Sequence, residues 1–327
     1  MSPTLGFVWA CIGVGALAAL AAWPLAGGAL RLVVRRGSAL RPARRADAAF
    51  LLGITPALVG FTVALATAMP SLMTRLGLAA DHCRDHKHHV HVCMQHVVHL
   101  PTWLVAVGAL ASLVLAVRAG RLLVMTLAAR NRFSALERLS VRESTSEGCD
   151  TWRVPGSPRL CVATGVFRPR IFYSAALAEH LAPEELAAAL AHEAAHLRRR
   201  DPVALALLDL AALSSPLSHV QRAREVFRAA AEQACDVVAA AEHGGASVAR
   251  ALVTAARLQW AASGALAFAE HGLAERVTAL LKPRPEAPAP ARVLATAGVC
   301  LAAMTLAVAV GGLDVHHAVE TLLSRLD

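Results

Sequence analysis

The sequence predicts a mainly α-helical protein that crosses a membrane several times and carries a separate polar domain, itself helical with a small β-hairpin or sheet. Three observations predict this class. Mean hydropathy is +0.51 with 56% hydrophobic residues over 327 positions, beyond what a soluble domain shows. Four stretches contain no charged residue: Thr4 to Leu30, Ala48 to Thr74, Leu100 to Val117 and Val293 to Leu313. Each is long enough, as a helix, to cross about 30 Å of hydrocarbon. Between the third and fourth stretches the chain returns to the mixed polar and apolar pattern of a folded domain.

The first span lacks a basic leading segment and is too long for the apolar part of a signal peptide, so it is read as retained. Trp9, Trp23 and Trp103 fall near span ends, as interfacial anchors do, and Pro56 is tolerable in a membrane helix. Orientation follows from arginine. The loop 31–47 holds Arg31, Arg35, Arg36, Arg41, Arg44 and Arg45, whereas residues 1–30 hold no Lys or Arg, which makes that loop cytoplasmic. The expected plan is residues 1–128 as three spans with the amino terminus outside, 129–290 as a cytoplasmic domain, and 291–327 as a fourth span with a short outer tail. The expected membrane is of the bacterial cytoplasmic (inner) type.

The loop between the second and third spans, residues 75–99, falls outside on this plan. It carries Cys83, His86, His88, His89, His91 and Cys93 among seven histidines. Imidazole and soft sulfur suit Cu, Zn or Ni. In an oxidising compartment Cys83 and Cys93 could instead close a small disulfide loop. Cys11, Cys149, Cys161, Cys235 and Cys300 lie in spans or the reducing side and read as buried small hydrophobes.

In the domain, residues 131–150 are polar and read as a linker or irregular segment. The short apolar runs Leu160 to Ala163 and Arg170 to Tyr173 read as a small hairpin or sheet edge, to which an extended peptide could add as another strand. Next comes Leu186-Ala-Ala-Ala-Leu-Ala-His192-Glu193-Ala-Ala-His196-Leu-Arg-Arg-Arg-Asp201. Pro183 and two acids open this segment and three arginines close it, as the helix dipole favours. Imidazoles at i and i+4 share a helix face and can grip one ion, while Glu193 is placed beside the metal's water as a general base.

A hydrolytic Zn2+ needs three protein ligands and one open position. Glu232, on the helical stretch 226–238, is the expected third ligand. Asp236, one turn on, is expected to hold a ligand histidine's other ring nitrogen. Pro202 to Leu217 is apolar and short for a span, so it reads as a helix buried in the domain or dipped into the inner leaflet. Residues 246–281 read as one or two helices, followed by a Pro-rich spacer. His219, His243 and Tyr173 are candidates for stabilising an oxyanion, and no spacing selects among them.

Gly165-Val-Phe-Arg-Pro-Arg-Ile, the His192 to Asp201 run, Glu232-Gln-Ala-Cys-Asp236 and Leu273-Ala-Glu-Arg-Val-Thr-Ala-Leu-Leu281 together resemble the BlaR/MecR-type antirepressor membrane metallopeptidases. The resemblance implies a cytoplasmic gluzincin-like zinc domain between the third and fourth spans. It maps the zinc ligands onto His192, His196 and Glu232, the catalytic base onto Glu193 and the supporting acid onto Asp236. It also implies cleavage of a cytoplasmic repressor, or of the protease itself, after an outside signal. The best-known members carry a penicillin-binding sensor after the fourth span, and the tail from Asp314 cannot hold one.

Nearly all the cationic charge behind the net +9 is supplied by arginine, clustered at span ends and beside predicted membrane-facing helices. Anionic lipid is therefore the expected partner, beside a peptide or protein substrate, and direct nucleic-acid binding is not expected. Two other functions fit the pattern: an HtpX-like quality-control protease of membrane proteins, and a non-catalytic metal-sensing receptor. A purely structural zinc site has no need of Glu193.

Overall fold

The computed structural model describes residues 3–37, 40–79, 92–93, 100–146, 149–156, 160–166, 168–263, 272–282 and 293–326. The apolar stretches become long helices: α1 (Pro3–Arg35), α2 (Pro42–Arg75) and α3 (Thr102–Leu139). α1 packs closely on α2 because glycines meet there. A Cβ on Gly15 would stand 2.7 Å from the Gly60 carbonyl oxygen, and one on Gly60 2.6 Å from that of Gly15. Small residues let two backbones touch where lipid offers no hydrophobic drive for association.

The described residues of 131–150, expected to be a linker or irregular segment, are regular. No Gly or Pro interrupts Arg130 to Leu139, so α3 runs on to Leu139. Beyond it β1 (Val141–Ser146) pairs antiparallel with β2 (Cys149–Val154), a run containing the strand formers Thr151, Trp152 and Val154. The expected hairpin is present as β3 (Cys161–Thr164) and β4 (Arg170–Ser174), paired antiparallel. β2 and β4 run parallel, giving one sheet of order β1-β2-β4-β3 with β3 on an edge.

Helices complete the domain: α4 (Ala175–His180), α5 (Pro183–Arg199), α6 (Asp201–Ala211), α7 (Leu217–His243), α8 (Gly245–Ser263) and α9 (Leu273–Leu281). The last helix, α10 (Val293–Leu326), does not stop at Leu313 but continues through the expected tail and packs on α2. Among the described residues, four helices are long and apolar enough to cross a membrane: Thr4–Arg35, Pro42–Arg75, Thr102–Leu139 and Gly298–Leu326.

The largest core lies between α2 and the domain. Ala46, Ala49, Phe50 and Ile54 of α2 meet Ala204 and Leu208 of α6 and Val220, Ala223 and Phe227 of α7. Phe50 and Phe227 are fully buried, with ring centroids 6.5 Å apart and tilted. The apolar run after the HExxH motif is thus buried against a membrane-length helix. Polar links hold the same junction. Arg118 of α3 donates to the carbonyls of Ala212 (3.0 Å) and Ser215 (2.8 Å), which α6 leaves unpaired at its end. His219 Nε2 lies 2.9 Å from the Leu52 carbonyl.

Phe227→Ala removes the ring from this junction and is expected to cost about 3–5 kcal/mol. The measurement is thermal unfolding of the detergent-solubilised chain, and an unmoved transition would show that the α2–α7 contact contributes little.

Candidate metal centre

α5 begins where Pro183 presets the first turn and Glu185 accepts the Ala182 N–H at 3.2 Å. It ends at Arg200, the one non-glycine residue with positive φ (61°) among those described. The left-handed conformation costs a side-chain-bearing residue about 1–2 kcal/mol. Here it turns the chain so that α6 starts at once with Asp201, whose Oδ2 lies 2.8 Å from His196 Nδ1. On the neighbouring α7, Glu232 and Asp236 stand one turn apart and face α5.

The sequence-predicted residues come together. His192 Nε2 and His196 Nε2 are 3.2 Å apart. Glu232 brings one carboxylate oxygen to 3.4 Å from His192 Nε2 and the other to 3.4 Å from His196 Nε2. Behind the rings sit further carboxylates. Asp236 Oδ1 is 3.0 Å from His192 Nδ1, and Asp201 Oδ2 holds His196 Nδ1.

This pattern tests the fit of a metal ion. Carboxylate oxygens only accept, so each Nδ1 carries the ring proton and each Nε2 presents a lone pair. Two lone pairs and a carboxylate then point at one another, which is unfavourable unless a cation lies between them. Donors about 2.0–2.1 Å from a tetrahedral ion stand about 3.3 Å from one another. The observed separations of 3.2 to 3.4 Å match that edge. The donor set fits a small divalent ion.

Electrostatics agree in direction. Burial lowers the proton affinity of His192 and His196, yet both are held above the ordinary histidine value, His192 by its bonds to Asp236 and Glu232, and His196 by the adjacent Cys235 and its bonds to Asp201 and Glu232. Glu232 is pushed up by burial yet held far below the usual carboxylate range by the two imidazoles. Burial raises Glu193, only partly offset by His192 and His196. Its Oε2 accepts the Ala163 N–H of β3 at 2.6 Å, tying α5 to the sheet edge.

Sequence reasoning missed two residues. Asp201 stands five places after His196, but its role depends on the left-handed turn at Arg200. Arg276 of α9 forms a fork on Asp236, Nε to Oδ2 at 2.7 Å and Nη2 to Oδ1 at 2.8 Å, and its Nη1 lies 3.0 Å from Glu232. No spacing rule points to it. The three oxyanion candidates do not line the cleft: His219 is bonded to Leu52, the Tyr173 hydroxyl to Glu143, and His243 closes α7. Cys93 is buried elsewhere, while Cys83, His86, His88, His89 and His91 lie outside the described residues.

The histidines and Glu232 open into a cleft of about 510 Å3. The β3 edge forms one wall, and Leu177, Leu181, Val248 and Leu252 form an apolar recess. A family model described as BlaR1 peptidase M56 matches residues 62–280, a span that contains every residue of this centre. The chain belongs to the M56 peptidase family. No curated protein and no solved structure matches it. As an M56 member the chain is a membrane-associated metallopeptidase, and the family implies a metal ion, which the His192, His196 and Glu232 group is able to hold.

Two substitutions in this M56 peptidase check the supporting groups. Asp201→Ala frees the His196 ring and is expected to weaken metal affinity by about 10–100-fold, read by competition with a chromophoric chelator. Unchanged affinity would remove Asp201 from the site. Arg276→Met leaves the buried Asp236 carboxylate without its cation and is expected to destabilise the domain by about 3–5 kcal/mol, with earlier thermal unfolding as the readout.

Proposed function

We propose that the chain is a zinc endopeptidase of the HExxH gluzincin type, embedded in a bacterial inner membrane with its amino terminus outside and its domain cytoplasmic. His192, His196 and Glu232 are its zinc ligands, Glu193 its base, and Asp236 and Asp201 the groups that orient the histidines. The observation that carries this reading is the convergence of two Nε2 atoms and one carboxylate at tetrahedral spacing, beside a buried glutamate and an open strand edge.

Zinc in this position supplies water acidified toward neutrality and a Lewis acid for the scissile carbonyl. The chain's own residues do the rest. Ser174 N–H donates to the Leu160 carbonyl, so in alternating order the Cys161 and Ala163 backbones face away from β4. An extended peptide adds to that open side, and its apolar side chain enters the Leu177, Leu181, Val248 and Leu252 recess. Glu193, at the same edge, takes the proton of the attacking water and returns it to the leaving amine. Its raised proton affinity suits that transfer.

The substrate we propose is a cytoplasmic regulatory protein, such as a transcriptional repressor, or the chain itself, cleaved after an extracytoplasmic signal. The family description and the direct packing of α2 against the metal-bearing α7 support a link between membrane and cleft. The Arg-rich loop 31–47 supports the orientation.

Glu193→Gln is expected to keep its metal and lose peptide cleavage by about 10²–10⁴-fold. Comparing peptide fragments from membranes holding the intact and substituted chains, with metal content measured on both, decides the matter: identical fragments would end the hydrolase reading. Orientation is checked separately by a reporter joined after the end of α10, which should be active only outside the cytoplasmic membrane.

A further inference from the structure

The corner where α6 passes into α7 lies inside the edge of the charge-free stretches, and three long helices measure its depth. His219, near the start of α7, has its Nε2 2.9 Å from the Leu52 carbonyl of α2. The charge-free stretch of α2 begins at Ala48, so Leu52 is about 6 Å inside it at 1.5 Å per residue. On α1, whose charge-free stretch ends at Leu30, a Cβ on Gly27 would stand 3.8 Å from His219 Nδ1. Gly27 is about 4.5 Å inside that end. On α3, Arg118 directly follows the stretch ending at Val117, and its guanidinium donates to the carbonyls of Ala212, Leu213 and Ser215 at 2.8 to 3.3 Å. The three helices give one depth.

The corner is built for such a setting. Backbone polar groups there cannot rely on water. The carbonyls of Leu210, Ala211, Ala212, Leu213, Ser215 and Pro216 all accept hydrogen bonds. Pro216 has no N–H to satisfy. α6 is apolar on more than its packed face: Leu208 enters the core against α2, whereas Leu210 is 53% exposed and Leu217, which opens α7, is 43% exposed. Two exposed leucines by themselves signify little. These two flank a turn seated among three membrane-length helices and extend their apolar surface. The nearby charges come in pairs, Asp209 with Arg224 and Arg222 with Glu225.

We propose that the α6–α7 corner is set into the bilayer leaflet on the domain's side, with Leu210 and Leu217 against phospholipid acyl chains and the two ion pairs among the headgroups. The inference rests on reading α1, α2 and α3 as spans. Its depth is that of an interfacial element, whose apolar face enters about 5–10 Å. From the corner α7 leads out of the bilayer. A Cβ on Gly53 would stand 2.8 Å from that of Ala223, Phe227 lies beside Phe50, and Gln233 accepts a hydrogen bond from Arg45, three residues before the charge-free stretch begins. Glu232 therefore stands level with the headgroups. The cleft opens at the membrane surface, and a peptide adding to β3 does so there.

The test places the photo-crosslinking residue p-benzoylphenylalanine singly at Leu113, Leu210, Leu217 or Glu242 of the full-length chain, in vesicles of phosphatidylethanolamine and phosphatidylglycerol. Adducts are identified by mass. Leu113, 62% exposed within the third charge-free stretch, reports the span itself. Glu242 lies about 14 Å farther along α7 than Gln233 and reports the domain away from the lipid. Phospholipid adducts are expected at Leu113, Leu210 and Leu217, with loss to background at Glu242. Adducts at Leu113 without any at Leu210 and Leu217 overturn the proposal and leave the spans standing. Protein adducts in place of lipid at the two leucines, or equal lipid labelling at Glu242, also overturn it. Absence of lipid at Leu113 removes the spans and the proposal with them. Both leucines are exposed, so either position decides the matter if the other variant does not fold. Cleavage by the intact and Glu193→Gln chains is read separately, which keeps failure here distinct from failure of the hydrolase reading.

Discussion

Two imidazoles whose outer nitrogens are held by carboxylates cannot leave their inner nitrogens facing each other and a third carboxylate unless positive charge fills the gap. The domain is organised around that demand. Asp236 and Asp201 set the tautomers, Glu232 closes the triangle, and Arg276 neutralises the acids that α7 brings in. Without Arg276 the helix would bury Asp236, 5% exposed at its side chain, with only a histidine opposite. Breaking a buried pair by removing one partner is expensive, so the arginine is part of what allows the acids to be there.

The same helices that carry the donors are packed against the membrane part of the chain. α7 supplies Glu232 and Asp236 on one face and Val220, Ala223 and Phe227 on another, against Phe50 and Ile54 of α2. A Cβ on Gly53 would lie 2.6 Å from Leu208 and 2.8 Å from Ala223, so glycine lets these helices seat closely. Arg118 and His219 satisfy backbone carbonyls at this seam that a low-dielectric setting would otherwise leave unanswered. The cleft is thereby positioned by α2 as well as by its own sheet.

Much of this was legible in residue order, for reasons of period. His192 and His196 are one helical turn apart, as are Glu232 and Asp236, and helix geometry alone places each pair on one face. Charge-free stretches mark the long helices because a bilayer tolerates little else. What stayed hidden depended on the chain turning back on itself. Asp201 reaches His196 only through the left-handed residue at Arg200, and Arg276 reaches Asp236 from 40 positions away. The β1–β2 hairpin was masked by polar composition, since Arg142 and Asp150 pair on its surface and resemble a solvated linker in one dimension. The parallel pairing of β2 with β4 requires a crossover that local pattern does not encode.

The seam between α2 and α7 also sets what can become of the molecule if its chain is nicked. A fragment starting at β1 would turn Leu208, Val220 and Phe227 toward water as a contiguous oily face, a surface that invites aggregation. Severing the chain between α3 and the sheet would therefore not liberate a diffusible enzyme. The cut pieces would stay clasped to their anchor through that face.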